Sequence, residues 1–346
     1  MDLSNLLSDF MSGNIKDKTK NDHVLIIDGL NLFIRGFLAV PTVNSKGQHI
    51  GGIVGFLRSI SSYIDQFRPT RCIVAFDGED SAALRKKIYP RYKENRGGNM
   101  RLNRFVNPHV VSEDPGESFQ TQLVRLEHYL DCLPITTFLV NQLEADDVVG
   151  YMVTYMFKDS RVTIVSADKD FIQLVSDKVQ VYSPIKKIII TPDEVKSKYG
   201  VIRENFLTYR VLIGDDSDSI NGVPGIGPKT IVKYFPEMES RCMTCDDVVE
   251  YAQEKINNKD KRKIYKSVVD NHDLIKRNLA LMTLSDSTLS GIQRIHIMDR
   301  VNAEIPEYSM VEFRKLFDSD GLFSYNDMLL KNLNNTFNSL NYYRSL

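Results

Sequence analysis

The chain has 346 residues, 42 % of them hydrophobic and 26 % charged, with a formal net charge of −1. That is the balance of a folded protein with room for two domains, and it excludes a low-complexity chain or a uniformly basic nucleic-acid coat. No apolar run reaches the ~20 residues of a membrane span, and the N-terminus lacks a secretory pattern, so no membrane partner and a cytoplasmic location are expected.

Residues 1–22 read as an N-terminal extension. Within it LSNLLSDFM (3–11) has the spacing of a short amphipathic helix, suited to covering the chain's own core or to docking a partner. HVLIIDGLNLF (23–33) is a buried strand that runs into a polar turn at Asp28-Gly29. IGGIVGFLRSISSYIDQF (50–67) has helical apolar spacing, and CIVAFDGED (72–80) repeats the strand-then-acid design at Asp77-Gly78. Residues 85–105, RKKIYPRYKENRGGNMRLNRF, hold eight Lys or Arg and one acid, a local surplus of +7 with Tyr89, Tyr92 and Phe105 interleaved. Basic residues mixed with aromatics suit backbone tracking and base stacking; a solvated charged loop is the plainer alternative. A loop (106–118) and a helix from about residue 119 to 130 follow.

TTFLVNQLEADDVVGYMVTYMF (136–157) reads as strand, turn and helix, with Glu144, Asp146 and Asp147 in the turn. VTIVSADKDFIQLV (162–175) is again strand, polar turn and helix, with Asp168 and Asp170. Strands alternating with helices predict an α/β fold with a mostly parallel sheet covered on both faces. Function in such sheets gathers beyond the carboxyl ends of the strands. Each acid alone could be a cap or a turn residue. Four strands ending in acid at one edge point instead to a cation, because carboxylates ~4 Å apart repel by several kcal/mol even at an effective dielectric near 20. All-oxygen sites suit Mg²⁺ or Mn²⁺.

Residues 203–213 read as a helix ending at Gly214. LIGDDSDSINGVPGIGPKT (212–230) then sets Asp215, Asp216 and Asp218 before a glycine hairpin and a helix starting near Pro228. Glycines admit a close phosphate and a helix N-terminus favours an anion, so a helix-hairpin-helix that grips a duplex backbone is expected. Asp215 and Asp218 would complete a second metal position beside it. Cys242 and Cys245 form a CxxC without a second ligand pair and read as two small side chains near a helix start, not as zinc ligands. The last stretch, 323–346, is helical in part.

In order and spacing, IIDGLNLFIR, AFDGED, YPRYKENR, EADD, SADKD and GDDSDSINGVPGIGPKT resemble the structure-specific 5′ nucleases, or flap endonucleases. This family includes the 5′–3′ exonuclease domain of bacterial DNA polymerase I and stand-alone phage enzymes, some named ribonuclease H. The likeness runs from about His23 to Asp286. It implies a PIN-like core (23–195) with a helical arch (85–125) and a helix-hairpin-helix region (196–290); residues 291–346, outside the likeness, read as a C-terminal helical extension. It implies that Asp28, Asp77, Glu144, Asp146 and Asp147 surround a first metal ion, and Asp168, Asp170, Asp215 and Asp218 a second. Mg²⁺ is implied, with Mn²⁺ as substitute. Lys93 and Arg96 are implied to meet the scissile phosphate and Tyr92 to stack on a base. Arg35 and Arg210 are implied phosphate contacts; Gly225, Gly227 and Lys229 are the implied duplex grip, with a K⁺ ion on the hairpin carbonyls.

The implied substrates are branched or nicked duplex DNA and RNA–DNA hybrids; a monomer is expected, and the stretch 323–346 offers a contact for a single-strand-binding protein or clamp. No polymerase region follows, so a stand-alone enzyme is expected, in the host cytoplasm if phage-encoded. Ser219 stands where the family often has asparagine, and residues 97–118 differ from the compact arch of polymerase I relatives. The rival expectations are a PIN-type single-strand ribonuclease and a non-catalytic protein that binds branched DNA.

Overall fold

The computed structural model describes residues 19–95, 115–284, 289–322 and 327–345. Arg96 and the amphipathic stretch 3–11 therefore lie outside the described residues.

The first strand, β1 (His23–Asp28), alternates between two cores. Val24 and Ile26 belong to one apolar cluster, Leu25 and Ile27 to the other. A strand buried on both faces needs such a continuous apolar run. Around it β2 (Arg71–Asp77), β3 (Thr136–Val140), β4 (Arg161–Val165), β5 (Val179–Ser183) and β6 (Ile188–Ile190) form one sheet in the order β3-β2-β1-β4-β5-β6. The pairings among β1 to β5 are parallel, while β6 runs antiparallel to β5. The α/β class with a mostly parallel sheet is thus observed. The sequence reading anticipates only four strands; β5 and β6 are additions.

On one face lie α1 (Gly29–Ala39), α2 (Gly51–Phe67) and, after the short α3 (Ala83–Ile88), α4 (Pro115–Asp131). On the other, α5 (Ala145–Tyr151) continues into a π turn, Met152–Met156. After α6 (Pro192–Tyr199) come α7 (Phe206–Ile213), α8 (Pro228–Tyr234), α9 (Cys245–Asn257), α10 (Lys263–Asp270) and α11 (His272–Met282). Their buried residues Phe206, Ile231, Val248, Tyr265 and Ile275 share the cluster of Val24. The stretch expected as a helix after β4 is a 3₁₀ turn, Asp170–Leu174. Cys245 opens α9 and is buried, whereas Cys242 is exposed.

The C-terminal helices are α12 (Gly291–Asn302), α13 (Met310–Ser319) and α14 (Asp327–Asn341). They are more than an extension. Phe313 and Phe337 are fully buried in the same cluster as Phe33, Phe37 and Phe56. Each such ring contributes about 1.5–3 kcal/mol by burial, so this end of the chain is part of the core's stability.

The topology also places the site. From β1 the chain builds outward through β2 and β3, then returns to β4 on the other side of β1. The carboxyl ends of β1 and β4 thus flank the point where strand order reverses, where a crevice opens.

Candidate metal centre

Asp28 ends β1 at that crevice. Its Oδ1 accepts from the Asn31 amide at 3.1 Å, capping α1, and its Oδ2 accepts from Ser166 Oγ at 2.9 Å. Ser166 follows β4 and its Oγ also accepts from the Asp168 amide at 3.0 Å, so this one hydroxyl ties the two strand ends together. The cap reading of Asp28 therefore holds, with its second oxygen turned to Ser166 at the crevice. Asp77 ends β2 and accepts from the Ala145 amide at 2.8 Å, the first residue of α5. The glycine after it is demanded by packing: a Cβ on Gly78 would lie 2.0 Å from the Val140 carbonyl oxygen. Burial pushes the Asp28 carboxyl up to about 6, and the charges of Asp77 and Asp168 add to the effect.

At the start of α5, Glu144, Asp146 and Asp147 bring carboxylate oxygens within 4.8 Å of one another. Arg85, from α3, is inserted among them and is only 5 % exposed. Its Nη1 donates to Glu144 Oε2 at 2.8 Å and to Asp147 Oδ2 at 2.7 Å, and its Nη2 to Asp147 Oδ1 at 2.8 Å. The Tyr92 hydroxyl donates to Glu144 Oε2 at 2.9 Å, and the Lys93 ammonium pairs with Glu144 Oε1. Burial alone would raise the Glu144 carboxyl, but Arg85, Lys93 and Tyr92 outweigh it and hold it below its ordinary range. Asp146 behaves oppositely. Burial, reinforced by Asp147 and Glu144, pushes it well above its ordinary value against the pull of Arg85. Its Oδ1 is buried and has no hydrogen-bond partner.

Tyr92 is a correction. Its ring is 2 % exposed and packed in the core, with the Lys93 ammonium 5.1 Å and the Arg85 guanidinium 6.0 Å from its centroid. It is placed to fix Glu144 and has no open face for a base. Lys93 itself joins the two halves of the site: its side chain meets Glu144 and its amide donates to the Asp218 carbonyl at 3.0 Å. Arg96, expected beside it, lies outside the described residues.

The second group is Asp170, Asp215 and Asp218, whose oxygens also lie within 4.8 Å of one another. The Asp168 carboxylate accepts from the Asp170 amide at 2.9 Å. Arg210, from α7, is a second correction. It is 5 % exposed, donates to Asp170 Oδ1 at 2.9 Å and pairs with Asp215. An arginine buried this way neutralises carboxylates and does not face a phosphate. Burial and the neighbouring Asp168 still push Asp170 up to about 6. Burial would raise Asp215 too, but Ser217 and Arg210 hold it below its ordinary range. Ser219 sits at φ 59 with a buried hydroxyl that has no partner. Asparagine is enriched in that left-handed conformation, which accounts for the residue expected there.

The hairpin follows directly. Gly225 has φ +82, which glycine adopts without strain. A Cβ on Gly227 would meet nothing within 4 Å, so the chain's own packing does not require that glycine. Ser267 Oγ donates to the Pro224 carbonyl at 2.7 Å and Thr230 Oγ1 to that of Gly225 at 3.3 Å. Lys229 is exposed in the first turn of α8, after Pro228 at its N1 position. Arg35, on α1, is half-buried against Tyr63 and keeps one buried guanidinium nitrogen without a partner.

Among the described residues, the two triads and the Asp28, Asp77 and Asp168 carboxyls make nine acids, and three cations, Arg85, Lys93 and Arg210, pair with members of the triads. The donors are all oxygen, two carboxyls are raised to about 6, and one buried carboxylate oxygen has no partner. That imbalance fits hard divalent cations. Arg85 and Ser166 were hidden in the sequence. Arg85 lies in a run of like charges, and only α3 turns it inward while Lys86 and Lys87 remain exposed. A serine after a strand has no signature of its own.

The chain matches the family model described as the 5′-3′ exonuclease N-terminal resolvase-like domain over residues 23–200. It is 34 % identical over 217 residues to a 5′-3′ exonuclease of Aquifex aeolicus, covering 62 % of this chain and 69 % of that protein. It is 32 % identical over 247 residues to DNA polymerase I of Bacillus subtilis, covering 70 % of this chain but only 26 % of the polymerase. In fold it is similar to the bacteriophage T5 D15 flap endonuclease, solved with DNA and metal ions. The TM-score is 0.59 at 20 % identity, over 88 % of this chain and 100 % of that one.

Proposed function

Since the chain belongs to the 5′-3′ exonuclease family, we propose that it hydrolyses phosphodiester bonds at 5′ ends and flaps of branched or nicked DNA and of RNA–DNA hybrids. The observation that carries this reading is the pair of carboxylate triads at the sheet's switch point, beside a glycine hairpin that leaves room for a close external contact. The T5 relative in fold was solved with DNA and metal ions, which supports the same reading.

Asp28, Asp77 and Asp146, backed by Glu144 and Asp147, would hold one divalent ion. Asp168, Asp170, Asp215 and Asp218 would hold the other. Mg²⁺ suits these donors, and Mn²⁺ substitutes for it. When bound, such a pair supplies a nucleophile at neutral pH and neutralises the leaving oxygen. In the reaction the water oxygen bonds to phosphorus, the bond from phosphorus to O3′ breaks, and a 5′-phosphate and a 3′-hydroxyl result. Lys93 is placed between the two triads, where its ammonium can turn from Glu144 to the phosphate and offset charge developing there. Arg96, three residues on, shares that role. Lys229, with the open face of Gly227 beside it, grips duplex phosphate without reading bases. The hairpin carbonyls at Pro224 and Gly225, with the Ser267 and Thr230 hydroxyls beside them, suit a K⁺ ion.

The test is cleavage of 5′-labelled flap, nicked and RNA–DNA substrates with Mg²⁺ or EDTA. Metal-dependent cutting near the branch is expected. Cutting of free single-stranded RNA alone would favour a PIN-type ribonuclease, and tight flap binding without cutting would favour a binding protein.

A further inference from the structure

We propose that Arg85 is a resident cation of the metal centre. On this view it is a positioning residue that keeps the Glu144 and Asp147 carboxylates from closing directly on the first ion. The inference rests on the two-ion reading above and deepens it.

Arg85 is fully committed. Besides its three bonds to Glu144 and Asp147, its Nε donates to the Leu281 carbonyl at 2.8 Å, in the last turn of α11. The planar fork takes both oxygens of Asp147. A bidentate pair of this kind fixes a carboxylate's plane as well as its position. Glu144 is held at both oxygens as well, by Arg85 and Tyr92 on one and Lys93 on the other. The negative end of the α11 dipole adds to the grip on the guanidinium. Asp146 is the exception. Arg85 Nη2 is 3.9 Å from its Oδ1, beyond hydrogen-bond reach, and that buried oxygen has no partner. The trio therefore divides into two carboxylates that are spoken for and one that is available to an ion.

Burying a guanidinium here makes sense only with respect to the acids. Lys86 and Lys87, next in sequence, are exposed. Without Arg85, Asp147 would lose its bidentate partner and Glu144 one of its three, and both would be freer to turn to the bound ion. They would become direct ligands and tighten it. A unit positive charge beside a dication also opposes ion binding, by well over about tenfold at a protein-like effective dielectric. Arg85 thus trades ion affinity for an ordered outer layer of carboxylates, and disturbing such a layer typically costs about 10- to 100-fold in activity.

The test uses the full chain and Mn²⁺, with free ion followed by EPR and binding heats by calorimetry. Arg85→Gln should bind its first Mn²⁺ about tenfold more tightly or better, while kcat on a flap substrate falls about 100-fold and KM changes little. Arg85→Lys keeps the charge without the fork. It should bind Mn²⁺ within about threefold of the parent and show an intermediate kcat. A residue that only props up the fold would give weaker Mn²⁺ binding on removal, so equal or weaker binding by Arg85→Gln overturns the inference. If Arg85→Gln does not fold by circular dichroism, Arg85→Lys decides: an about tenfold change in Mn²⁺ affinity in either direction overturns it. A parent chain that bound no Mn²⁺ would overturn the two-ion reading and this inference together. A parent that binds two ions while Arg85→Gln binds no tighter overturns this inference alone.

Discussion

Lowering the pH should loosen divalent ions from this protein in a range where ordinary aspartates would not respond. Asp28 and Asp170 sit in different halves of the site and both are raised from an ordinary 3.8 to about 6, chiefly by burial. A group with a pKa near 6 is about nine-tenths protonated near pH 5 and almost wholly ionised near pH 7.5. An ion that needs that carboxylate must displace the proton, so each ion should lose about tenfold in apparent affinity between those two conditions. Stability follows with its own sign. A folded-state pKa raised above the unfolded one gives a contribution that is fully present below about 3.8 and lost as pH rises through about 6. A shift of about two units makes this roughly 3 kcal/mol per group. Glu144 and Asp215 are lowered and run the other way, their contributions fading as the pH falls below the ordinary carboxylate range. Between about pH 4 and 7 the ion-free protein should therefore lose stability from Asp28 and Asp170, and divalent ions should restore it most near pH 7.5. Calorimetric Mn²⁺ titration and thermal unfolding with and without Mg²⁺, each near pH 5 and near pH 7.5, read both effects. Equal Mn²⁺ affinity at the two pH values would refute the reasoning, because it would mean that these carboxylates are not desolvated.

Tyr92→Phe removes only the hydroxyl that holds Glu144 and leaves the ring in place. It should slow cleavage by about tenfold with DNA affinity unchanged, whereas a ring that stacked on a base would leave both unchanged in this variant. Lys229→Ala should weaken duplex binding more than single-strand binding in anisotropy titrations and reduce the salt dependence of affinity by about one phosphate contact. Equal losses on both strands would count against the hairpin as the duplex grip. Asp168→Ala should abolish most cleavage while gel-shift binding to a flap is largely retained, and normal turnover would remove Asp168 from the site.

Much of the centre was legible because its signals are local. An apolar run that ends in Asp-Gly announces both a strand and a tight exit, and Gly78 against the Val140 carbonyl shows the steric reason. The hairpin was legible for the same reason, since positive φ at Gly225 and Pro228 at a helix start are properties of a few adjacent residues. What escaped depends on distant neighbours. Tyr92 and Arg210 look like surface ligands in a basic or charged context, yet three-dimensional packing buries each against acids from other elements. Arg85 is one of three consecutive cations and is distinguished only by the turn of α3. Strand β6 has only three residues and exists by pairing with β5 in a hairpin. Nothing in 291–346 taken alone shows that Phe313 and Phe337 complete the core laid down by Phe33 and Phe56. The expected helix after β4 is instead a five-residue 3₁₀ turn, Asp170–Leu174, whose first amide is capped by the Asp168 carboxylate.

Anomalous diffraction from crystals soaked in Mn²⁺ probes the heart of the account. Two peaks about 4 Å apart are predicted in the crevice beyond β1 and β4. One should lie against Asp146 and Asp77, the other against Asp170, Asp215 and Asp218. Peaks elsewhere on the surface, or an empty crevice at saturating Mn²⁺, would contradict it.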